Sequence, residues 1–299
     1  MKIPYTKTAL TFKDQISRLK SRGLTIEDEP NALHYITHIN YYRLSAYMYP
    51  FLEDKEHHIF KKGVTFQNIL NVYNFDRELR LLILDAIERI EISLRTNIIY
   101  VLSHKHGPFW VSNNGLYFNQ NYFQEHIKRL KEEIGRSDEK FIEHYFSKYS
   151  EEIPPAWISM EIASFGLLSL LFKNLKSFKD MKEIAQRYGL NRIVFESWFH
   201  SLVYIRNVCA HHSRLWNREL GIRPNIPKSI GGIWLNKSDE LRNDRVFIII
   251  AIIIYFLEII NTSSSFKLGL HKLFEKYSMI DLAPMGFPKD WKDEELFKI

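Results

Sequence analysis

Along most of the chain, apolar residues return at every third or fourth position, the spacing of one buried helix face. Alternating apolar and polar runs bounded by turn dipeptides are scarce, and no repeat of fixed period appears. The pattern predicts an all-α protein. Its clearest element starts after Thr65, a natural N-cap, and carries Phe66, Ile69, Leu70, Tyr73, Leu79, Leu82, Ile83, Ala86, Ile87, Ile90 and Leu94. It runs to about Leu102, before Gly107-Pro108 stops it.

Shorter helices follow. One spans about Tyr122 to Ile134 and ends at Gly135; another starts after Ser137, where Asp138 and Glu139 favour a helix N-terminus. Pro154-Pro155 opens the next, and Gly166 within the apolar stretch from Ala156 to Leu175 marks a turn between two short helices or a tight helix crossing. Ser177 and Asn191 read as further N-caps. From Asn191, the residues Val194, Trp198, Leu202, Ile205 and Cys209 form one stripe of a helix that ends near His211. A Gly- and Pro-rich loop, Gly221 to Lys237, separates it from an Ile-rich helix, after which come a Ser-capped helix from about Ser264 to Tyr277 and a short polar tail.

The Ile-rich run, Val246 to Leu257, holds no charge and is bounded by Arg245 and Glu258. A bilayer span needs about 20 apolar residues, so twelve predict a helix buried on all sides and no membrane insertion. With 299 residues, 45% of them apolar, the chain can bury a sizeable core. We expect an N-terminal helical extension over residues 1–60, a main helical domain over 61–262 and a C-terminal helix and tail over 263–299, packed as one unit. A single cysteine, Cys209, excludes an internal disulfide framework and any Cys-based zinc cluster. The N-terminus, Met1 to Lys7, shows no apolar core of signal-peptide length, so a cytoplasmic location is expected. The net charge of +6 suits a polyanionic partner, although 41 basic against 35 acidic residues is an ordinary surface balance.

Candidate chemistry concentrates in Tyr204-Ile205-Arg206-Asn207-Val208-Cys209-Ala210-His211-His212-Ser213-Arg214-Leu215-Trp216-Asn217. Asn207 and His211 are four apart and share a helix face, Arg214 falls three beyond, and His200 lies three turns before. In one reading Arg206 and Asn207 cap helix carbonyls and the histidines favour a helix C-terminus because imidazolium suits the dipole there. A metal reading finds His211-His212 as an adjacent pair with no further ligands at a recognisable spacing, so no metal or other cofactor is expected. A third reading is metal-free cleavage of RNA. The 2′-hydroxyl is a built-in nucleophile, histidine moves protons near neutral pH, and arginine grips phosphate oxygens in a fork.

Arg206-Asn207-x-x-Ala210-His211 resembles the Arg-x4-His signature of the HEPN ribonuclease superfamily, in the form seen in Abi-type abortive-infection proteins. The resemblance extends, in order, through Asn40 to Tyr47, Phe75 to Arg80, Glu88-Arg89-Ile90-Glu91 to Arg95-Thr96, Trp157 with Ser164-Phe165-Gly166, and Arg214 to Asn217. It covers roughly residues 15 to 260. It implies a HEPN-like helical bundle with an N-terminal extension, and a metal-independent RNA endonuclease of phage defence. Arg206, Asn207 and His211 would be catalytic. RNA would be the substrate, with a small structured RNA as a further partner. The rival reading is a non-catalytic HEPN-type RNA-binding or interaction module.

Arg206 and His211 are five apart, which places them about 140° apart around a regular helix, so one motif alone does not close a site. A homodimer with two facing motifs would complete it, and the resemblance implies that arrangement. His212, Arg214 and Asn217 would support the site. Glu91 and Arg95, spaced for an ion pair on the long helix like Asp76 and Arg80, would orient Arg206 or His211 if that helix packs on the 191–211 helix. Tyr41-Tyr42-Arg43 with Tyr47 combines rings and a cation that suit unpaired bases, with core packing of the tyrosines as the alternative. His57-His58, His104 and His106 read as surface residues without partners.

Overall fold

A computed structural model describes residues 3–6, 8–228, 230–236 and 241–299 and is all-α, 63% helical. The N-terminal stretch and the Gly- and Pro-rich loop therefore fall partly outside the described residues, at Met1, Lys2 and Lys7 and at Ser229 and Lys237. The chain divides into two compact units, Met1–Leu79 with Leu273–Ile280, and Arg80–Lys272 with Asp281–Ile299. These bounds differ from the expected divisions near residues 60 and 262. The first falls inside the longest helix, whose apolar stripe continues across it without a change of period, so spacing cannot mark where the packing partners change.

The first unit begins with α1 (Phe12–Ser21) and α2 (Glu29–His38), which pack together, and α3 (Tyr41–Met48). Side-chain oxygens of Thr11, Asp28 and Asn40 cap the three N-termini. A short antiparallel hairpin, β1 (Leu52–Asp54) with β2 (Ile59–Phe60), follows and is the one sheet among the described residues. The long helix α4 (Phe66–His106) starts at a reciprocal cap, in which Thr65 Oγ1 accepts from the Asn68 backbone and Asn68 Oδ1 accepts from Thr65 N–H. Tyr47, expected as a base-stacking candidate, is core. It is 1% exposed, donates to Asp76 at 2.6 Å and meets Tyr73 edge-on.

The second unit takes the rest of α4 and is organised around one helix. In chain order it holds α5 (Gln120–Gly135), α6 (Lys140–Lys148), α7 (Ala156–Ile162), α8 (Phe165–Lys173), α9 (Phe178–Gln186), α10 (Arg192–Ala210) and α11 (Val246–Ile260). The helix α12 (Phe266–Lys276) begins in this unit. Helices α8, α9 and α11 all pack on α10, whose N-cap is Asn191 as expected; Ser177 caps α9. Phe165 and Phe172 of α8 interlock with Phe195 and Phe199 of α10 at centroid separations of 5.1–6.0 Å. Gly166 sits inside α8, where a Cβ would meet Val203 of α10 at 3.8 Å; the turn between α7 and α8 lies just before it, at Ala163 and Ser164. The Gly- and Pro-rich segment folds onto α10 as well: Trp198 donates to the Asn225 carbonyl, and Trp234 packs against Trp198.

Every residue of α11 from Val246 to Leu257 is buried, and no helix among the described residues is long and apolar enough to cross a membrane. The C-terminal tail is a correction to the sequence reading. Met285, Phe287, Trp291, Leu296 and Phe297 are buried, with Phe247 of α11 stacked on Phe297 at 5.3 Å. These tail residues lie in single 3-10 turns or, for Phe287, between them, which leaves no period to detect. His106 is also corrected. It is half-buried and bound through Nε2 to Asp180 Oδ2 at 2.8 Å, beside Lys105 on Asp180 Oδ1. His57 and His104 are exposed but partnered, by Asp54 and the Tyr100 carbonyl respectively.

Burial alone would raise the Asp180 carboxyl, but hydrogen bonds from Lys105, His106 and Ser177 outweigh it and hold the group below its ordinary value. A carboxylate depressed in this way stabilises the fold above its unfolded value of 3.8 and loses that contribution as pH falls through its lower folded value. Asp180→Asn is therefore expected to destabilise the protein by about 2 kcal/mol at pH 7 in urea unfolding. The gap to wild type should close below about pH 4; a gap that widens on acidification contradicts this account.

Candidate functional site

The segment singled out by its chemistry lies where α10 ends. His211 is the C-cap residue (φ −85°, ψ 12°), its N–H bonded to the Asn207 carbonyl at 2.9 Å. The chain then reverses through a left-handed residue. His212 has φ +55°, its N–H reaches the Cys209 carbonyl at 3.0 Å, and Ser213 N–H reaches the Val208 carbonyl at 2.9 Å. This pair of bonds is the Schellman closure, whose left-handed position glycine ordinarily fills because a Cβ costs energy there. The turn is fixed from below. Leu215 and Trp216 are buried, and Arg80, 5% exposed, donates to the Ser213 carbonyl at 3.2 Å.

Arg206 emerges from α10 one turn before this closure. Its Nε lies 3.7 Å from Glu91 Oε2, outside hydrogen-bond reach, and its guanidinium sits 5.8 Å from the Phe165 ring centre. Glu91 is shared, because its Oε1 also accepts from Arg95 Nη2 at 2.8 Å. Arg95 is buried and spends Nη1 on the carbonyls of Met160 and Ala163, at the C-terminal end of α7. Of the two residues expected to orient Arg206 or His211, Glu91 lies beside Arg206 and Arg95 bonds Glu91. Among the described residues, no hydrogen bond uses the Arg206 guanidinium, although its Nε is buried.

Asn207 is half-buried and His211 exposed. Among the described residues no side-chain hydrogen bond joins Asn207 to His211; the two are linked through the backbone, His211 N–H to the Asn207 carbonyl. Arg214 and Asn217 are half-buried; Asn217 also adopts a left-handed backbone, at φ +50°. Tyr42 and Arg43 belong to the first unit, with Tyr42 84% exposed. Two contributors were not foreseen for their roles. Phe165 was noted only within a resemblance, and the bond from Arg80 to the Ser213 carbonyl spans 133 residues, a separation that spacing cannot reveal.

Fold and site define an all-helical protein that presents an arginine and an exposed histidine at the end of its central buried helix. The chain belongs to the family of Abi-like proteins, which it matches over residues 34–217, more than half its length. That span contains every segment from Asn40 to Asn217 on which the resemblance was drawn. No curated protein and no solved structure matches the chain.

The left-handed backbone at position 212 gives a test free of the imidazole's own contacts, since both variants compared lose the ring. His212→Gly should be more stable than His212→Ala by about 1 kcal/mol in thermal or urea unfolding, because only alanine keeps a Cβ at positive φ. Equal stabilities would mean that α10 ends differently in solution.

Proposed function

We propose that the chain is a metal-independent RNA endonuclease of phage defence, cleaving through Arg206, Asn207 and His211. The observation that carries this reading is the state of Arg206. Glu91 and Phe165 hold the guanidinium from the side, yet none of its donors is spent in a hydrogen bond among the described residues. A fork of unspent donors suits phosphate oxygens, above all the extra charge of a pentacoordinate phosphorane. His211, exposed one turn on, supplies an imidazole that can take up or give a proton.

In the proposed reaction a base removes the proton of the RNA 2′-hydroxyl, whose oxygen attacks the adjacent phosphorus. The bond to the 5′-oxygen breaks, and an acid protonates that oxygen. The products are a 2′,3′-cyclic phosphate and a 5′-hydroxyl. His211 serves as base or acid, Arg206 neutralises the phosphorane, and Asn207 offers an amide to the phosphate. Glu91 and Arg95 keep Arg206 in place, while His212, Arg214 and Asn217 shape the turn that carries His211. A small structured RNA is the proposed restraint on this activity, and the cytoplasm its proposed location.

The test is cleavage of mixed RNA in EDTA. Wild type should cut and leave cyclic-phosphate ends. His211→Ala should lose the activity while melting nearly normally, since the side chain is exposed. Arg206→Lys should lose about a hundredfold in rate despite keeping its charge, because an ammonium cannot form the planar fork. Tight binding of RNA without cleavage by wild type would leave a non-catalytic RNA-binding module instead.

A second expectation concerns assembly. Arg206 projects from a regular helix and His211 from its cap, so each chain offers half a site, and a two-fold axis pairing the 191–217 regions would complete it. Light scattering should report a dimer. A strict monomer that still cleaves RNA refutes the composite site.

A further inference from the structure

The first unit holds a cavity of about 680 Å³, within the range of roughly 300–1,000 Å³ typical of small-molecule sites. Its walls come from the segment before α1, from α1, from α3 and from the hairpin. Four tyrosines line it: Tyr5, Tyr41, Tyr42 and Tyr49. Tyr5 and Tyr42 are 85% and 84% exposed and Tyr49 is 50% exposed, so these rings are not spent on the core. Arg18 and Arg22 are the lining cations, and no carboxylate is among the lining residues.

Two details argue that the cavity is built for a polar guest. Arg22 donates from Nη1 to the Tyr41 hydroxyl at 3.0 Å, which fixes that ring and the guanidinium together. Gln15, also in the wall, donates from Nε2 to the Leu10 carbonyl at 3.1 Å, and this fixes its amide orientation. Its Oε1 is then buried without a donor among the described residues. A buried acceptor left without a donor is costly, and a ligand N–H would satisfy it.

We infer that this cavity takes an unpaired nucleotide of an RNA strand, its base stacked on the exposed tyrosine rings and its phosphate on Arg18 and Arg22. Aromatic faces with interleaved cations are how single-stranded nucleic acid is held, because every base has a π-face and every linkage an anion. A duplex keeps its bases stacked on one another and offers none to the rings. The inference rests on RNA being the ligand of this chain, and it adds that the strand is gripped where it is unpaired, on residues other than the Arg206–His211 segment.

The test measures binding of a fluorescein-labelled single-stranded RNA by anisotropy at one salt concentration, on the full chain carrying His211→Ala so that the probe survives. Tyr42→Ala should weaken binding about tenfold, and so should Tyr49→Ala, in line with base–aromatic stacking. Tyr42→Phe and Tyr42→Trp, which keep a ring, should bind within about twofold of the parent. Tyr42 is exposed, so these changes leave the core intact. Blunt duplex RNA should compete poorly. Parental affinity in the Tyr42→Ala, Tyr49→Ala double variant overturns the inference, as does equal competition by the duplex or absence of RNA binding. Cleavage assayed on otherwise wild-type protein separates the two proposals. Cutting with normal binding by the tyrosine variants removes only the pocket, and ring-dependent binding without cutting removes only the nuclease.

Discussion

One carboxylate, Glu91, stands between two guanidinium groups, and the arrangement of the motif region follows from that imbalance. Arg95 bonds at short range, its Nη2 to Glu91 at 2.8 Å and its Nη1 to the carbonyls of Met160 and Ala163. Arg206 receives only the longer contact at 3.7 Å. Glu91 and Arg206 are 20% and 25% exposed in their side chains, too little for water to screen them fully. The cluster therefore carries a net positive charge, which an arriving anion would neutralise. Replacing Glu91 by a neutral residue would leave two cations near one another, and replacing Arg95 would free the α7 carbonyls.

The scaffold around this imbalance is apolar and rigid. Phe165 packs with Phe199 of α10 and also lies beside the Arg206 guanidinium, so the ring that seals the α8–α10 contact also limits where the arginine can swing. The Arg95 bonds to Met160 and Ala163 fix the end of α7 just before Ser164 starts α8, which in turn sets Phe165. Local order thus passes from α4 through the α7–α8 turn to α10 by contacts that each have a physical cause.

Much of this was legible in the sequence where the signal is local. Thr65, Ser177 and Asn191 cap the helices they were expected to cap, and the stripe from Val194 to Cys209 is the buried face of α10. The i,i+4 spacing gave the Glu91–Arg95 pair. What stayed hidden depends on long separations or on isolated residues. The bond from Arg80 to Ser213, the seating of Phe287, Trp291 and Phe297, and the pairing of His106 with Asp180 carry no period. The cavity of the first unit was half visible. Tyr41 and Tyr42 were candidates on composition, but Tyr5 and Tyr49 flank them in space only because the chain before α1 and the end of α3 fold to one place, while Tyr47 turns inward to Asp76.

The left-handed residues in the motif region shape the end of α10 in a way that their sequence does not announce. His212 and Asn217 both sit at positive φ, where a non-glycine residue is disfavoured, although asparagine and histidine are among the residue types that enter it most often. Surrounding contacts hold the turn that carries His212: Leu215 and Trp216 are buried, and Arg80 donates to the Ser213 carbonyl. The same turn fixes the direction in which the preceding residue leaves the helix. A glycine at 212 would relieve the backbone but would also widen the conformations open to the cap, so the left-handed residue and its anchors fix the backbone at the helix end. The exposed His211 therefore takes its place at the helix end from backbone hydrogen bonds.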